Sequence, residues 1–303
     1  MICAGPVLAA LAVRHPGAHT SYLVTRRWHP LFRGHPALAG VLTPRQAWRA
    51  PRPDLVIDLQ NRPRTRALAW RGRARRHWRK RHGWDLVRTL GGRPLHRDYR
   101  GGPHQLERMA TALGLPPLRE PSLPVDPEAR RWAQSWRPAG PYAVVAPGAG
   151  HATKRWPAAR FGEVARALEA AGLAVVVVGG PGEGPLLEAV AGATGWILPV
   201  TVPLDRVAAV VATAQVAVTN DSGLLHLAAS VAIPFVALFG PTPPGRWAPR
   251  AAQGRVVACD LPCAPCSDHG RLACRLGTTA CLDGVSVEAV ERALEGLQVL
   301  RGP

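Results

Sequence analysis

The chain has 303 residues, of which 47% are hydrophobic and 19% are charged, and its formal net charge is +18. This length suits two domains of ordinary size, and the apolar fraction excludes a wholly disordered chain. No apolar run reaches the ~18 residues that a membrane-spanning helix needs, and no basic region followed by a long apolar core marks a signal peptide. We therefore expect a cytoplasmic protein.

The positive charge is concentrated in the first half of the chain. Residues 1–138 contain 26 Lys+Arg and 8 Asp+Glu, whereas residues 139–303 contain 12 of each. This split predicts two domains with different partners, one at 1–138 and one at 139–303. The densest basic segment, 71–88, suits an anionic membrane surface or a phosphorylated glycolipid, and it also suits a solvated loop of an Arg-rich protein. Nucleic acid is the weaker interpretation, since no zinc finger, ribonucleoprotein motif or helix-turn-helix accompanies the segment.

The predicted elements become regular in the second half. Before it, Val7 to Arg14 predicts a helix that ends at Pro16, and residues 21–25 and 55–59 are short β-rich runs. From residue 142 onward, apolar strands alternate with helices, and a run such as AVVVV is typical of a parallel sheet covered on both faces. The predicted strands are 142–146, 173–178, 215–219 and 235–239, and the predicted helices are 157–171, 183–191, 204–214 and 224–231.

Four loops directly follow predicted strands and are rich in glycine and polar residues: 147–156, 179–184, 220–226 and 240–245. The carboxyl ends of parallel strands meet at one edge of the sheet, where ligands bind in doubly wound folds. The sequence therefore predicts a binding crevice lined by the second domain.

The first two loops offer groups that suit a phosphate and a ribose. The glycines of PGAG, Gly148 among them, bring backbone amides close to a ligand, and Lys154 could neutralise a phosphate; a plain turn before a helix that starts at Pro157 is the alternative. Lys154 is one of only two lysines, with Lys80, which favours a functional role. Glu183 could bind ribose hydroxyls or simply be a solvated residue at a helix start.

The third loop, NDSGLLH, suits a pyrophosphate at a helix N-terminus. Asp221 or Ser222 could cap the helix, and Gly223 permits close approach of a ligand. Because an aspartate repels a phosphate, we expect Asp221 to hold amides or another polar group. His226 lies one turn into the helix. It could contact the ligand, or it could have a structural role.

These motifs, PGAG…KRWP, VVVVGGPGE, VAVTNDSGLLHLAA and PFVALFGPTPP, resemble glycosyltransferase family 9, the ADP-heptose–lipopolysaccharide heptosyltransferases. The resemblance covers nearly the whole chain and is strongest after residue 142. It implies an α/β chain with two Rossmann-like domains facing across a cleft, the B-type glycosyltransferase fold, with the nucleotide-sugar in the second domain. It implies that Lys154 contacts the donor phosphates or sugar and supports the leaving group, and that Glu183 contacts the ribose. The full set of implied donor-binding residues is Gly148, Thr153, Lys154, Glu183, Asp221, Ser222, Gly223 and His226.

The same resemblance implies an inverting transfer of a sugar, heptose in the family, from an ADP-sugar to a lipopolysaccharide-type or other anionic glycolipid. It implies catalysis without a metal and peripheral contact with the cytoplasmic face of the inner membrane. Met1 to Pro6 match the residues that follow the family's catalytic Gly-Asp, so the first strand and the base are expected upstream of Met1. The alternative is a catalytically defective paralogue that binds anionic lipid or nucleic acid. Asp58 is a possible substitute acid, although it matches a structural strand-end position.

Five of the six cysteines cluster in a Cys-rich loop at 259–281. Cys263, Cys266, Cys274 and Cys281 form a C-x2-C-x7-C-x6-C array, which suggests a metal more than disulfides in a cytosolic protein. Two interpretations are open: the four cysteines hold a structural zinc or cluster, or they are reduced thiols packed in a loop. A catalytic role is not expected.

Overall fold

A computed structural model describes residues 4–60, 62–71, 76–79, 102–118, 122–192 and 195–300. These residues form two compact units, the first built from the described parts of 4–79 and 105–118 and the second from 102–104 and 122–300. Most of the basic segment 71–88, including Lys80, lies outside the described residues, as do Met1 to Cys3.

The first unit contains two pairs of short parallel strands. Strand β1 pairs with β2, with Ser21 opposite Gly40, and β3 pairs with β4, with Leu55 opposite Arg76. Val7, on the first helix, packs against Met109 and Leu115 in a small apolar core. The elements of this unit are α1 (Gly5–Arg14), β1 (Ser21–Leu23), β2 (Gly40–Leu42), α2 (Pro44–Ala47), β3 (Leu55–Asp58), α3 (Pro63–Arg71), β4 (Arg76–Arg79) and α4 (Gln105–Leu113).

The second unit is built on a six-stranded sheet of order β10-β9-β8-β5-β6-β7, in which every pairing is parallel. Its strands are β5 (Tyr142–Ala146), β6 (Ala174–Val177), β7 (Trp196–Ile197), β8 (Val216–Asn220), β9 (Phe235–Phe239) and β10 (Gly254–Ala258). Its helices are α5 (Pro127–Trp136), α6 (Ala158–Ala170), α7 (Gly184–Ala191), α8 (Leu204–Ala212), α9 (Gly223–Ser230), α10 (Pro244–Trp247), α11 (Ala280–Asp283) and α12 (Val287–Glu295).

Helices cover both faces of this sheet, which explains why its central strands are apolar throughout. On one face, Phe161 of α6, Leu187 of α7 and Leu294 of α12 share a buried cluster with alternate strand residues such as Val145. On the other face, the hydroxyl of Tyr142 donates a 2.5 Å hydrogen bond to the Val210 carbonyl of α8. Among the described helices, none is both long and apolar enough to cross a membrane.

Candidate functional site

The four polar loops predicted from the sequence lie at one edge of the six-stranded sheet. They follow β5, β6, β8 and β9, and because these strands are parallel and adjacent, their carboxyl ends lie at the same edge. The first loop, residues 147–156, includes a 3-10 turn at Ala152–Lys154, and α6 begins at Ala158. The sheet thus brings the predicted donor-binding residues to a common edge.

The first loop is held in shape by Asn220, the last residue of β8, which is fully buried. Its side-chain amide donates to the Pro147 carbonyl at 2.7 Å, and its side-chain oxygen accepts from the Trp156 backbone amide at 3.1 Å. One amide side chain therefore satisfies both ends of the loop that carries Lys154. Sequence reasoning missed this role, although an Asn at the end of an apolar strand is itself a signal, since a buried amide needs partners.

Lys154 and Asp221 form an ion pair between the first and third loops. The Lys154 Nζ lies 2.7 Å from Asp221 Oδ2, with side-chain exposures of 13% and 8%. The hydroxyl of Thr242, from the fourth loop, donates to the same Oδ2 at 2.6 Å. The bond from Thr242 fixes the Asp221 carboxylate, and this carboxylate in turn holds the Lys154 ammonium group. Because both side chains are largely shielded from water, the Coulombic attraction between them is stronger than in an exposed pair. Thr242 was not predicted as a site residue.

Glu183 joins the first and second loops. Its Oε2 accepts from the Gly180 backbone amide at 2.7 Å, and its Oε1 lies 3.4 Å from an Arg155 guanidinium nitrogen. A Cβ atom on Gly148 would overlap the Glu183 carboxylate. A side chain at 148 would therefore displace the Glu183 carboxylate from its present position, so Gly148 contacts a neighbouring loop as well as offering the close approach to a ligand inferred from the sequence.

The third loop begins helix α9 with a side-chain cap. Ser222 Oγ accepts from the Leu224 amide at 3.3 Å and lies 3.2 Å from Thr219 Oγ1. Among the described residues, no atom lies within 4 Å of the position that a Cβ atom on Gly223 would take. The space beside the first helical turn is open in that part of the chain. His226 is half-buried one turn further along α9.

Thr153 connects the first loop to the Cys-rich loop. Its hydroxyl donates to the Arg271 carbonyl at 2.8 Å and accepts from the Arg271 amide at 2.9 Å. The hydroxyl is thereby engaged as both donor and acceptor within the protein. The structure gives Thr153 a role in holding the loops together, whereas its predicted contact with a donor stays a prediction.

The cysteines of the Cys-rich loop are free thiols: Cys259, Cys263, Cys266, Cys274 and Cys281. Burial raises the pKa of Cys281 to about 11, and the neighbouring thiols of Cys266, Cys263 and Cys274 add to this shift. Burial also raises the pKa of Cys266, partly offset by Arg271. The thiols are thus near neighbours, but within the described part of the chain no three or more Cys, His, Asp or Glu side chains are placed to hold a metal ion.

Asp58, the alternative acid considered from the sequence, lies in the first unit at the end of β3 and is 6% exposed. Its carboxylate accepts from the Gln60 amide at 3.0 Å and from the Thr65 hydroxyl at 2.8 Å. These bonds stabilise the turn from β3 into α3, as the match to a structural strand-end position implied.

A parallel sheet covered by helices on both faces, with glycine-rich polar loops along its carboxyl edge, defines the class of Rossmann-like ligand-binding domains. Residues 42–275, more than three quarters of the chain, match the family model of glycosyltransferase family 9 (heptosyltransferase). The chain belongs to this family.

Individual relatives agree with this assignment. The chain is 35% identical over 134 residues to lipopolysaccharide heptosyltransferase 1 of Pseudomonas aeruginosa, a match that covers 43% of this chain and 37% of the relative. The matched segment thus spans little more than a third of that relative's length. The structure is similar to that of an Escherichia coli ADP-heptose lipopolysaccharide heptosyltransferase II, with a TM-score of 0.78 and 22% identity over 98% of this chain and 94% of the other. It is also similar to an E. coli heptosyltransferase structure with ADP, with a TM-score of 0.67 and 22% identity over 98% of this chain and 95% of the other. These two likenesses show the fold.

Proposed function

We propose that this protein is an inverting glycosyltransferase that moves a sugar, heptose by analogy with its family, from an ADP-sugar to a lipopolysaccharide-type or other anionic glycolipid. The observation that carries the proposal is the low-exposure pair of Lys154 and Asp221 at the carboxyl edge of the sheet. A lysine held at this edge, beside the N-terminus of α9, suits a phosphorylated ligand.

The donor fits this edge as follows. Its pyrophosphate lies near Lys154 and the open first turn of α9, where Gly223 leaves room. Its ribose lies near Glu183, whose carboxylate is fixed by the Gly180 amide. ADP as the nucleotide is supported by the solved E. coli heptosyltransferase that contains it.

In the transfer, the acceptor oxygen forms a bond to the anomeric carbon of the sugar. At the same time, the bond between that carbon and the donor phosphate oxygen breaks. The bonding electrons leave with ADP, the configuration inverts, and the acceptor proton passes to a general base. Negative charge develops on the departing diphosphate, so the Lys154 ammonium and the N-terminal dipole of α9 stabilise the transition state more than the ground state.

The class of acceptor is proposed from the uneven distribution of charge along the chain. Residues 1–138 carry a formal +18, from 26 basic and 8 acidic residues, against zero for 139–303. A basic first half suits a phosphorylated glycolipid and peripheral contact with an anionic inner-membrane surface. Binding of nucleic acid by the same segment is the weaker alternative.

A structural zinc in the Cys-rich loop stays a separate prediction. As placed, Cys263, Cys266, Cys274 and Cys281 do not form a metal-holding group, so zinc binding requires the thiols to draw together. No step of the proposed transfer is routed through a metal.

Two assays test the proposal on the full chain. Calorimetric titration with ADP, UDP and GDP should show binding of ADP with clear preference over the other two nucleotides. Incubation with ADP-heptose and a heptose-deficient lipopolysaccharide acceptor should release ADP in step with acceptor glycosylation. A folded protein that binds none of the nucleotides would refute the assignment of the donor site.

A further inference from the structure

A short segment of the Cys-rich loop, Ser267–Arg271, lies against the lysine of the candidate site; we call it the strap. Ser267 organises it, because its hydroxyl donates to the Gly270 carbonyl at 3.1 Å and accepts from the Gly270 amide at 3.0 Å. Ser267 is itself 6% exposed. The strap is therefore a tight, internally bonded turn.

The strap is anchored to two of the four loops at the sheet edge. Arg271 exchanges two backbone hydrogen bonds with the Thr153 hydroxyl in the first loop. At the other end, the Ser267 amide donates to the Pro241 carbonyl in the fourth loop at 2.8 Å, and Asp268 pairs with Arg246. These bonds connect the strap to Thr153, which precedes Lys154 in the chain, and to Pro241, which precedes Thr242.

Gly270 is the point of contact between the strap and Lys154. Its φ is +88°, a backbone conformation that residues other than glycine rarely adopt. A Cβ atom there would lie 2.6 Å from Lys154 Cδ, 2.8 Å from Lys154 Cγ and 3.1 Å from His151 Cβ. Lys154 has little freedom to yield, because its Nζ is held by Asp221 at 2.7 Å.

We propose that the strap covers the alkyl chain of Lys154 and that Gly270 is a positioning residue, which keeps the ammonium group on Asp221 at the sheet edge. The consequence for donor binding rests on the proposed function, whereas the contact between Gly270 and Lys154 does not. A side chain at 270 forces either Lys154 or the strap to move, and both movements uncover the lysine.

Amine reactivity tests the contact without any donor. The chain has two lysines, Lys80 and Lys154, so Lys80 serves as an internal reference. Trace labelling of the folded protein with an acetylating N-hydroxysuccinimide ester, read by peptide mass spectrometry, gives the rate at Lys154 relative to Lys80. Gly270→Ala should raise this ratio about fivefold or more, the change expected when about one polar contact is lost.

Gly277→Ala is the control, because Gly277 lies in the same loop with φ +68° and a Cβ there would meet no atom of the described residues within 4 Å. It also places alanine at a positive φ but does not touch Lys154, so its labelling ratio should equal that of the wild type. Should Gly270→Ala not fold, Thr153→Val removes the anchor of the strap and should raise the ratio, while Thr153→Ser keeps the hydroxyl and should not.

The same variants titrated with ADP separate the two proposals. With ADP binding intact in the wild type, Gly270→Ala should bind ADP about tenfold more weakly and Gly277→Ala should bind normally. Equal labelling ratios and equal ADP affinities for Gly270→Ala and Gly277→Ala would overturn the positioning role. If Gly270→Ala raises the labelling ratio but the wild type binds no ADP, the positioning of Lys154 by the strap would stand and only the proposed function would be overturned.

Discussion

Gly148 and Glu183 approach so closely that a β-carbon at 148 would occupy the position of the Glu183 carboxylate. The first two loops at the sheet edge therefore pack against each other where the backbone of Gly148 meets the Glu183 side chain. Gly148→Ala should displace the Glu183 carboxylate from the Gly180 amide, destabilise the protein by about 1 kcal/mol through the lost hydrogen bond, and weaken ADP binding. Thermal unfolding and calorimetry measure the two effects.

Gly150→Ala is the control for that change. Gly150 lies in the same loop, and a Cβ there would meet no atom within 4 Å in the part of the chain that the structure describes. Its unfolding free energy should stay within about 0.5 kcal/mol of the wild type. If both variants behave alike, the contact between Gly148 and Glu183 does not constrain the loop.

Asn220 should be essential to the shape of the Lys154 loop. Asn220→Ala leaves the Pro147 carbonyl and the Trp156 amide without their partner in a buried position, and each unsatisfied group costs about 1–3 kcal/mol. Urea unfolding monitored by tryptophan fluorescence measures the loss. Gln215→Ala, at an exposed position just before the same strand, should change the stability little; a similar loss in both variants would contradict this account.

The thiols of the Cys-rich loop should differ in reactivity. With its pKa raised to about 11 by burial, Cys281 holds only about one thousandth of its thiol as thiolate at pH 8. The exposed Cys263 should therefore be alkylated first by iodoacetamide, and the rate at Cys281 should rise steeply as the pH approaches 11. Peptide mass spectrometry after short exposures follows both sites. Equal alkylation of the two at pH 8 would show that Cys281 is not shielded.

The second unit was largely predictable because its strands are continuous apolar runs. The predicted bounds of β5 and β9 are those of the structure, and the helices α6 to α9 differ from prediction by only one or two residues at their ends. The short strand β7 and the half-exposed edge strand β10 were missed, since neither carries a sustained apolar run. The amphipathic helices α5 and α12 were also not predicted.

The common sheet edge that carries the four loops was predictable, but the contacts between the loops were not. Alternating strands and helices place the four loops at one edge, whatever their detailed shape. The bonds of Asn220, the hydroxyl of Thr242 on Asp221 and the contact of Gly270 with Lys154 depend on how distant loops meet in space. The domain boundary at 138/139 stays a prediction.

The most direct test of the central claim is the affinity of the full chain for ADP, measured by calorimetry for the wild type and for Lys154→Ala. Removal of the ammonium group beside Asp221 should weaken ADP binding by about 1–3 kcal/mol, the usual scale for a lost hydrogen bond to a charged group. Lys154→Arg keeps the positive charge but changes the shape of the side chain, so its affinity for ADP should lie between those of the wild type and Lys154→Ala. Equal affinity of wild type and Lys154→Ala, with both folded, would contradict a donor site built around Lys154.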